Sequence, residues 1–262
     1  MTVDSSDPQS RDGIRESELT HALAAVRSRL AMAAELAGRN VGEIELLAIT
    51  KFFPVTDVAI LSRLGCRSVG ESREQEASAK VAELTRLVAA SPRTDSREVH
   101  WHMVGRIQRN KARSLARWAH TAHSIDSSQL VSALDRAVTT TLAEGQRENP
   151  LRVYVQVSLD GDVSRGGVDV TTPGAVDEVC AQVEDADGLQ LIGLMAIPPL
   201  DWDPEKAFGR LQSEHRRTLE SHPNAVELSA GMSNDFEIAV KHGSTCVRVG
   251  TALLGPRRLP SP

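Results

Sequence analysis

The stretch Ile44-Glu45-Leu46-Leu47-Ala48-Ile49-Thr50 is short and mostly apolar, is entered through Gly42 and stops near Pro54. That is the pattern of a strand buried on both faces. Upstream of it, Leu19, Leu23, Val26 and Leu30 recur at helical spacing from Glu18 onward, with Arg27 and Arg29 on other faces. An amphipathic helix therefore precedes the first strand. The residues from Met1 to about Arg15 lack periodicity and read as a flexible tail. Downstream, short apolar runs return at 66–70, 99–104, 121–125, 151–158, 189–196, 225–229 and 245–249, and helix-compatible segments at 57–64, 72–90, 127–144, 173–185, 203–221 and 233–241 separate most of them. Eight strands alternating with helices predict an α/β fold, a single (β/α)8 TIM-type barrel with an extra N-terminal helix. The expected barrel covers 16–258, between the tail 1–15 and a short tail 259–262. A doubly wound open sheet is the competing arrangement. It lacks its usual dinucleotide signature here, because no G-x-G-x-x-G follows the first strand.

The composition, 40% hydrophobic and 25% charged over 262 residues, is that of an ordinary soluble globular chain. Three cysteines, Cys66, Cys180 and Cys246, are odd in number and widely spaced, which encodes neither a disulfide framework nor a zinc ribbon. A net charge of −5 gives no global reason to bind nucleic acid. The opening stretch is polar and acidic, unlike a targeting peptide, and no apolar run approaches the ~20 residues of a membrane span. A cytoplasmic protein is expected, with neither nucleic acid nor membrane among its partners.

In such a barrel the chemistry lies at the C-terminal ends of the strands. Lys51 stands directly after the first strand, and Phe52, Phe53 and Pro54 make its surroundings apolar. Desolvation lowers the pKa of an amine, as a Schiff-base lysine requires, although a lysine at a strand end is also a common solvated residue. Near the C-terminus, Ser229, Gly231, Met232, Ser233 and Asp235 follow one strand, and Gly250 and Thr251 follow the next. Hydroxyls, backbone N–H groups and a helix N-terminus together form an anion cradle, in the position where these barrels hold phosphate. Turn glycines and helix-capping hydroxyls account for the same residues without a ligand. His100 and His102 share a strand face, but His215, His222 and His242 supply no matching ligand set, so no metal is expected. For His102 the readings are packing or a hydrogen bond at the cofactor mouth, and for Met195 core or cofactor-wall packing. The basic run from Arg106 to Arg117 reads as a solvated helix face or as an attractor of anions.

The segments LLAITK, WHMVGRIQRNK, GLMAIP, LSAGMSNDFEIAVKHGST and VRVGTALLG, in this order and spacing, resemble the pyridoxal-phosphate homeostasis proteins, relatives of the barrel domain of alanine racemase. The resemblance runs from about Leu19 to Arg257. It implies a barrel that binds pyridoxal 5′-phosphate, with Lys51 as the aldimine lysine. It further implies that Ser229, the Met232 and Ser233 backbone, Gly250 and Thr251 hold the phosphate, and that Arg248 faces the pyridine nitrogen. Arg248 could otherwise be an ion-pair residue at a strand end. The sequence departs from the family's pattern at Ser72, where asparagine is common near the cofactor. It departs again at Arg165, where a lysine often precedes the glycine, and at Phe52 and Phe53, which replace commoner polar residues.

Three functions follow as expectations. The first is a carrier that holds pyridoxal phosphate in vitamin B6 homeostasis with little or no turnover, acts as a monomer and has apo-enzymes as recipients. The second is an amino-acid racemase or decarboxylase, and the third a lysine aldolase without the cofactor. A donor-only arginine at the ring nitrogen weakens the ring as an electron sink. The alanine racemase relatives take a second base, a tyrosine, from a further β-domain. Here the sequence ends thirteen residues after Val249, and its single tyrosine, Tyr154, falls within a strand. The carrier is therefore the expected function.

Overall fold

The computed structural model describes residues 8–90 and 98–256, with side chains from residue 13 onward. The chain enters through a long helix, α1 (Pro8–Leu36), and then alternates. The first half contains β1 (Glu45–Ile49), α2 (Val55–Arg63), β2 (Ser68–Glu71), α3 (Glu74–Ala90), β3 (His100–Met103), α4 (Ala112–Leu115), β4 (Thr121–Ile125) and α5 (Ser128–Ala143). The second half contains β5 (Leu151–Ser158), β6 (Val168–Asp169), α6 (Ala175–Glu184), β7 (Leu189–Ala196), α7 (Pro204–Ser221), β8 (Glu227–Met232), α8 (Phe236–Lys241), β9 (Cys246–Val249) and α9 (Thr251–Leu254). The strands pair in the order β4-β3-β2-β1-β9-β8-β7-β5, and a β4–β5 pairing closes the ring. Every pairing is parallel. The result is an eight-stranded TIM-type barrel with α1 as the additional helix.

The two residues of β6 were not anticipated. They pair with Val157 and Ser158 inside the loop that follows β5, a ladder too short to leave a periodic pattern. The proposed tail also needs correction. Helix α1 already begins at Pro8, and Arg15 is a docking residue rather than part of a loose segment. Its Nη2 donates to Asp57 Oδ2 at 2.7 Å and to the Leu254 carbonyl at 3.1 Å, so one side chain ties α1 to both α2 and α9. Residues 1–7 and the expected tail at 259–262 lie outside the described residues.

Strand parity divides the side chains between two layers. Outward residues such as Ala48, Val69, Val247 and Val249 pack with Leu19, Leu23, Val26 and Leu30 of α1, while Val153, Val155, Leu194 and Leu228 pack with α5, α6 and α7. The inward set is unusually polar for a barrel whose interior is commonly filled by branched apolar residues. Glu45, Ser68, His102, His123, Tyr154, Glu227, Ser229 and Arg248 bond to one another across it. At Gly193 the strands β7 and β8 approach so closely that a Cβ would lie 1.7 Å from the Glu227 carbonyl oxygen.

The Asp57 side chain is 3% exposed, so the Arg15 guanidinium is its compensating charge. Removing one member of a buried pair strands the other. Arg15→Ala is expected to cost about 3 kcal/mol in urea denaturation, and adding Asp57→Asn should return a large part of it. A shift below ~0.5 kcal/mol would mean that α1 docks without this pair.

Candidate functional site

The C-terminal ends of β1, β8 and β9 converge on a cavity of about 400 Å³. Its apolar wall comes from Ile49, Val104 and Ile197, and its polar groups from Lys51, Ser233, Asn234, Arg248 and Thr251. That volume lies in the range of small-molecule sites.

Lys51 reaches the cavity from a tight turn in which the Phe53 amide donates to the Thr50 carbonyl at 3.0 Å. Within the turn Phe52 has φ +70°, a left-handed conformation that is uncommon for a bulky residue. The surroundings impose it. The Thr50 amide donates to Gly70 O at 3.0 Å, and Thr50 Oγ1 to Glu71 Oε1 at 2.7 Å. Lys80 Nζ reaches over from α3 to Thr50 O at 2.9 Å and to Glu71 Oε1 at 2.7 Å. Outside the turn, the Arg73 guanidinium lies 5.5 Å from the centre of the Phe52 ring. The lysine is thus delivered by a braced turn rather than by a loose loop end.

Arg248 forms the floor. Its Nη1 donates to Ser229 O at 2.8 Å and Ser229 Oγ at 2.7 Å, and its Nη2 to Ala196 O at 2.8 Å. Burial pulls its pKa down from the ordinary value, yet a guanidinium stays charged and can only donate.

Near the end of β8, Gly231 has φ +90° and a Cβ on it would lie 2.7 Å from Ala239 Cβ, so only glycine lets β8 press against α8 here. Ser233 Oγ accepts from the Ala252 amide at 3.3 Å and so joins this loop to the one after β9. Thr251 opens α9, whose Leu253 and Leu254 amides donate to the Gly250 carbonyl at 3.0 and 2.8 Å.

Of the residues singled out from sequence, Lys51, Met232, Ser233, Arg248, Gly250 and Thr251 line this one cavity. Ser229 does not. Strand parity points it into the barrel, where its Oγ is fully buried between Arg248 and His123 Nδ1, the latter at 2.9 Å. Met232 lines the rim, but its amide is committed to Asp235 Oδ1 at 2.6 Å. His102 is also inside the barrel, its Nδ1 2.9 Å from His123 Nε2, and not at the mouth. Met195 packs in the interior with Tyr154 and Ile192. Arg165 stays on the outer loop, paired with Asp160 and Asp162. Ser72 follows β2 and lies outside the cavity lining, its carbonyl carbon packed where a Cβ on Gly105 would be 2.7 Å away. The sequence analysis missed Ile49, Val104, Ile197 and Asn234 as lining residues. Val104 and Ile197 directly follow strand ends, which is the signal that could have identified them.

The model of the alanine racemase N-terminal domain matches residues 21–258. The pyridoxal phosphate homeostasis protein of Mycobacterium tuberculosis is 78% identical over 248 residues, covering 95% of this chain and 96% of that protein. The chain belongs to the pyridoxal phosphate homeostasis protein family. The family member from Escherichia coli is 33% identical over 92% of this chain and 97% of its own length. Among solved structures, PipY of Synechococcus elongatus, determined with PLP bound, is similar with a TM-score of 0.73 and 30% identity, covering 90% of this chain and 100% of PipY. Alanine racemase of Clostridium difficile, 14% identical with a TM-score of 0.64, shares the fold over 94% of this chain and 58% of the racemase. Among the described residues no group of three or more His, Cys, Asp or Glu side chains could hold a metal, and no helix is long and apolar enough to cross a membrane.

Burial pushes His102 down to about 4, with Glu45 opposing and His100 assisting, and pushes His123 well below its ordinary value. His120, stacked on His100 with ring centres 4.3 Å apart, also falls to about 4 because of burial and the two neighbouring imidazoles. The unfolded chain, with histidines near ~6.5, binds protons that the folded chain refuses. Stability therefore rises with pH between about 4 and 6.5 and is lost as pH falls through that window. The urea midpoint should drop steadily from pH 7 to pH 5, and an unchanged midpoint would contradict the neutral buried histidines.

Proposed function

We propose that this chain binds pyridoxal 5′-phosphate and carries it in vitamin B6 homeostasis, with Lys51 as the covalent attachment point and little turnover of its own. The observation that carries this reading is the placement of Lys51, Arg248 and the loops after β8 and β9 around one cavity at the C-terminal rim. The chemistry of these groups fits the cofactor: an amine for its aldehyde, the Ser233 and Thr251 hydroxyls for its phosphate, and a fixed cation for its ring nitrogen. The family's naming and PLP-bound PipY support the same ligand. Delivery to apo-enzymes belongs to this reading and rests on the naming alone.

When bound, pyridoxal phosphate supplies an electrophilic aldehyde on an electron-withdrawing pyridine. Lys51 Nζ, beside Phe52 and Phe53 at the cavity, would be the amine that holds the aldehyde carbon. Ser233, Gly250 and Thr251 hold the phosphate. Arg248 would face the ring nitrogen as a donor that gives up no proton, which would keep the ring a weak electron sink. A second base is not provided by Tyr154, the only tyrosine, because it is fully buried inside the barrel and bonded to Glu227. Asp235, also at the cavity, has Oδ1 engaged by the Met232 amide.

Lys51→Ala is expected to abolish the visible absorbance that borohydride can reduce, with the circular dichroism of the fold retained. Peptide mapping after reduction should place the adduct on Lys51. Recovery mainly on Lys111 or Lys241 would overturn the assignment.

Pyridoxal without its phosphate forfeits several charge-assisted hydrogen bonds of ~1.5–3 kcal/mol each, so its affinity should be lower by orders of magnitude. Equal affinities would remove the phosphate cradle from the model of binding. In deuterated water, common amino acids should exchange their α-protons slowly and keep their configuration. Racemisation at the ~10 s⁻¹ typical of enzymes would instead establish the racemase.

A further inference from the structure

We propose that Arg248 is positioned from inside the barrel by a one-way hydrogen-bond relay, in which Ser229, His123 and His102 each point their proton away from Arg248 and toward Glu45, so that both histidines are neutral Nε2–H tautomers. The relay is a property of this chain's own side chains. Its bearing on the pyridine nitrogen rests on the function proposed above.

Four distances define it. Arg248 Nη1 lies 2.7 Å from Ser229 Oγ, Ser229 Oγ 2.9 Å from His123 Nδ1, and His123 Nε2 2.9 Å from His102 Nδ1. At the far end His102 Nε2 is 3.9 Å from Glu45 Oε1, which also accepts from Ser68 Oγ at 2.6 Å. His102 Nε2 is buried and has no hydrogen-bond partner among the described residues.

The two ends are chemically unambiguous, and they decide what lies between. A guanidinium has no lone pair to offer, so Ser229 Oγ must accept from Arg248, and its own proton is free to point at His123 Nδ1. If Nδ1 accepts, the His123 proton is on Nε2 and points at His102 Nδ1. His102 then carries its proton on Nε2, and that N–H dipole faces the Glu45 carboxylate. The reverse assignment would turn the His102 lone pair toward a carboxylate at 3.9 Å inside the protein and would leave the Ser229 proton without the imidazole acceptor. Both ends disfavour it, in a region where dipole–charge interactions are poorly screened. A doubly protonated imidazole fits neither ring, since each would then direct an N–H at a group that is itself donating along the chain.

The groups around the two rings agree. His102 is faced by Glu45, His100, His120 and Arg152, and His123 by His102, Arg248, Arg152 and the Tyr154 ring, whose centre is 4.5 Å away. Burial and the neighbouring cations hold both imidazoles neutral. A hydroxyl that donates to one neighbour becomes a better acceptor for the next, so each link strengthens the hold of Ser229 on Arg248.

Side-chain nitrogen spectra of the 15N-labelled chain without cofactor test this directly. At pH 7, His102 and His123 should each show one pyridine-type Nδ1 and one pyrrole-type Nε2. An Nδ1–H tautomer or an imidazolium at either position in the wild-type chain overturns the relay. Ser229→Ala should remove the single-tautomer pattern at His123, and Ser229→Thr, which keeps the hydroxyl, should restore it. An unchanged His123 pattern in Ser229→Ala also overturns the relay. If Ser229→Ala does not fold, the wild-type spectrum decides alone. In the loaded protein the same pair of variants should shift and restore the absorbance maximum of the bound chromophore. Correct tautomers with no chromophore in the wild type would reject the function and leave the relay standing.

Discussion

A permanently charged guanidinium inside a protein must be surrounded by acceptors, and Arg248 is such a group. Its acceptors come from the ends of two strands, Ala196 O on β7 and the Ser229 carbonyl and hydroxyl on β8, while the arginine itself stands on β9. This requirement explains why so many inward positions of the barrel are polar. Once Ser229 is committed to Arg248, the next inward position must serve Ser229, and polar partners continue through His123 and His102 toward Glu45. The links are hydrogen bonds as far as His102 Nδ1, and beyond it His102 Nε2 faces the Glu45 carboxylate at 3.9 Å.

The lysine obeys a different constraint. Lys51 lies beyond the last residue of β1, where a chain would ordinarily be free to move. The left-handed Phe52 persists because Lys80 and Glu71 hold Thr50 by its carbonyl and hydroxyl. A conformational cost of about 1–3 kcal/mol at Phe52 is offset by these bonds, and the amine is presented in one direction. Floor and attachment point are therefore fixed by separate networks, one within the barrel and one between the barrel and α3.

The legibility of the fold follows from how continuous each apolar run is. The runs at 121–125, 151–158 and 189–196 coincide with β4, β5 and β7, whose outward positions such as Ala122, Val153, Val155 and Leu194 are apolar and buried. The start of α1 was not legible, since its first turns are polar and are anchored by Arg15 to Asp57, a residue 42 positions away. At the site, the family likeness identified Lys51, Ser233, Arg248, Gly250 and Thr251, which do meet. It left Ser229 in the phosphate set, although Ser229 faces the barrel interior, because motif membership says that a residue is near a strand end and not which way it faces. Parity and register decide that, and β8 shifts register between Ser229 and Met232, so the two ends of one motif serve different layers.

The additional helix is part of the site's mechanics rather than an appendage. Between Arg248, which faces inward, and Gly250 at the rim stands Val249, which faces outward into the cluster that includes Leu19, Leu23 and Leu30 of α1. Leu253 and Leu254 join the same cluster, and Arg15 donates to the Leu254 carbonyl. On the other loop, Arg29 donates to the Ser233 carbonyl at 3.0 Å and to Glu237 Oε1 at 2.8 Å, with its guanidinium 4.5 Å from the Phe236 ring centre. Helix α1 thus braces both of the segments that bring hydroxyls and amides to the cavity. Because Arg248 and Thr251 are three residues apart on one of those segments, any slip of α1 that moved Val249 would displace the floor and the rim together. The same packing that buries the apolar face of α1 sets the distance between the two polar ends of the candidate site.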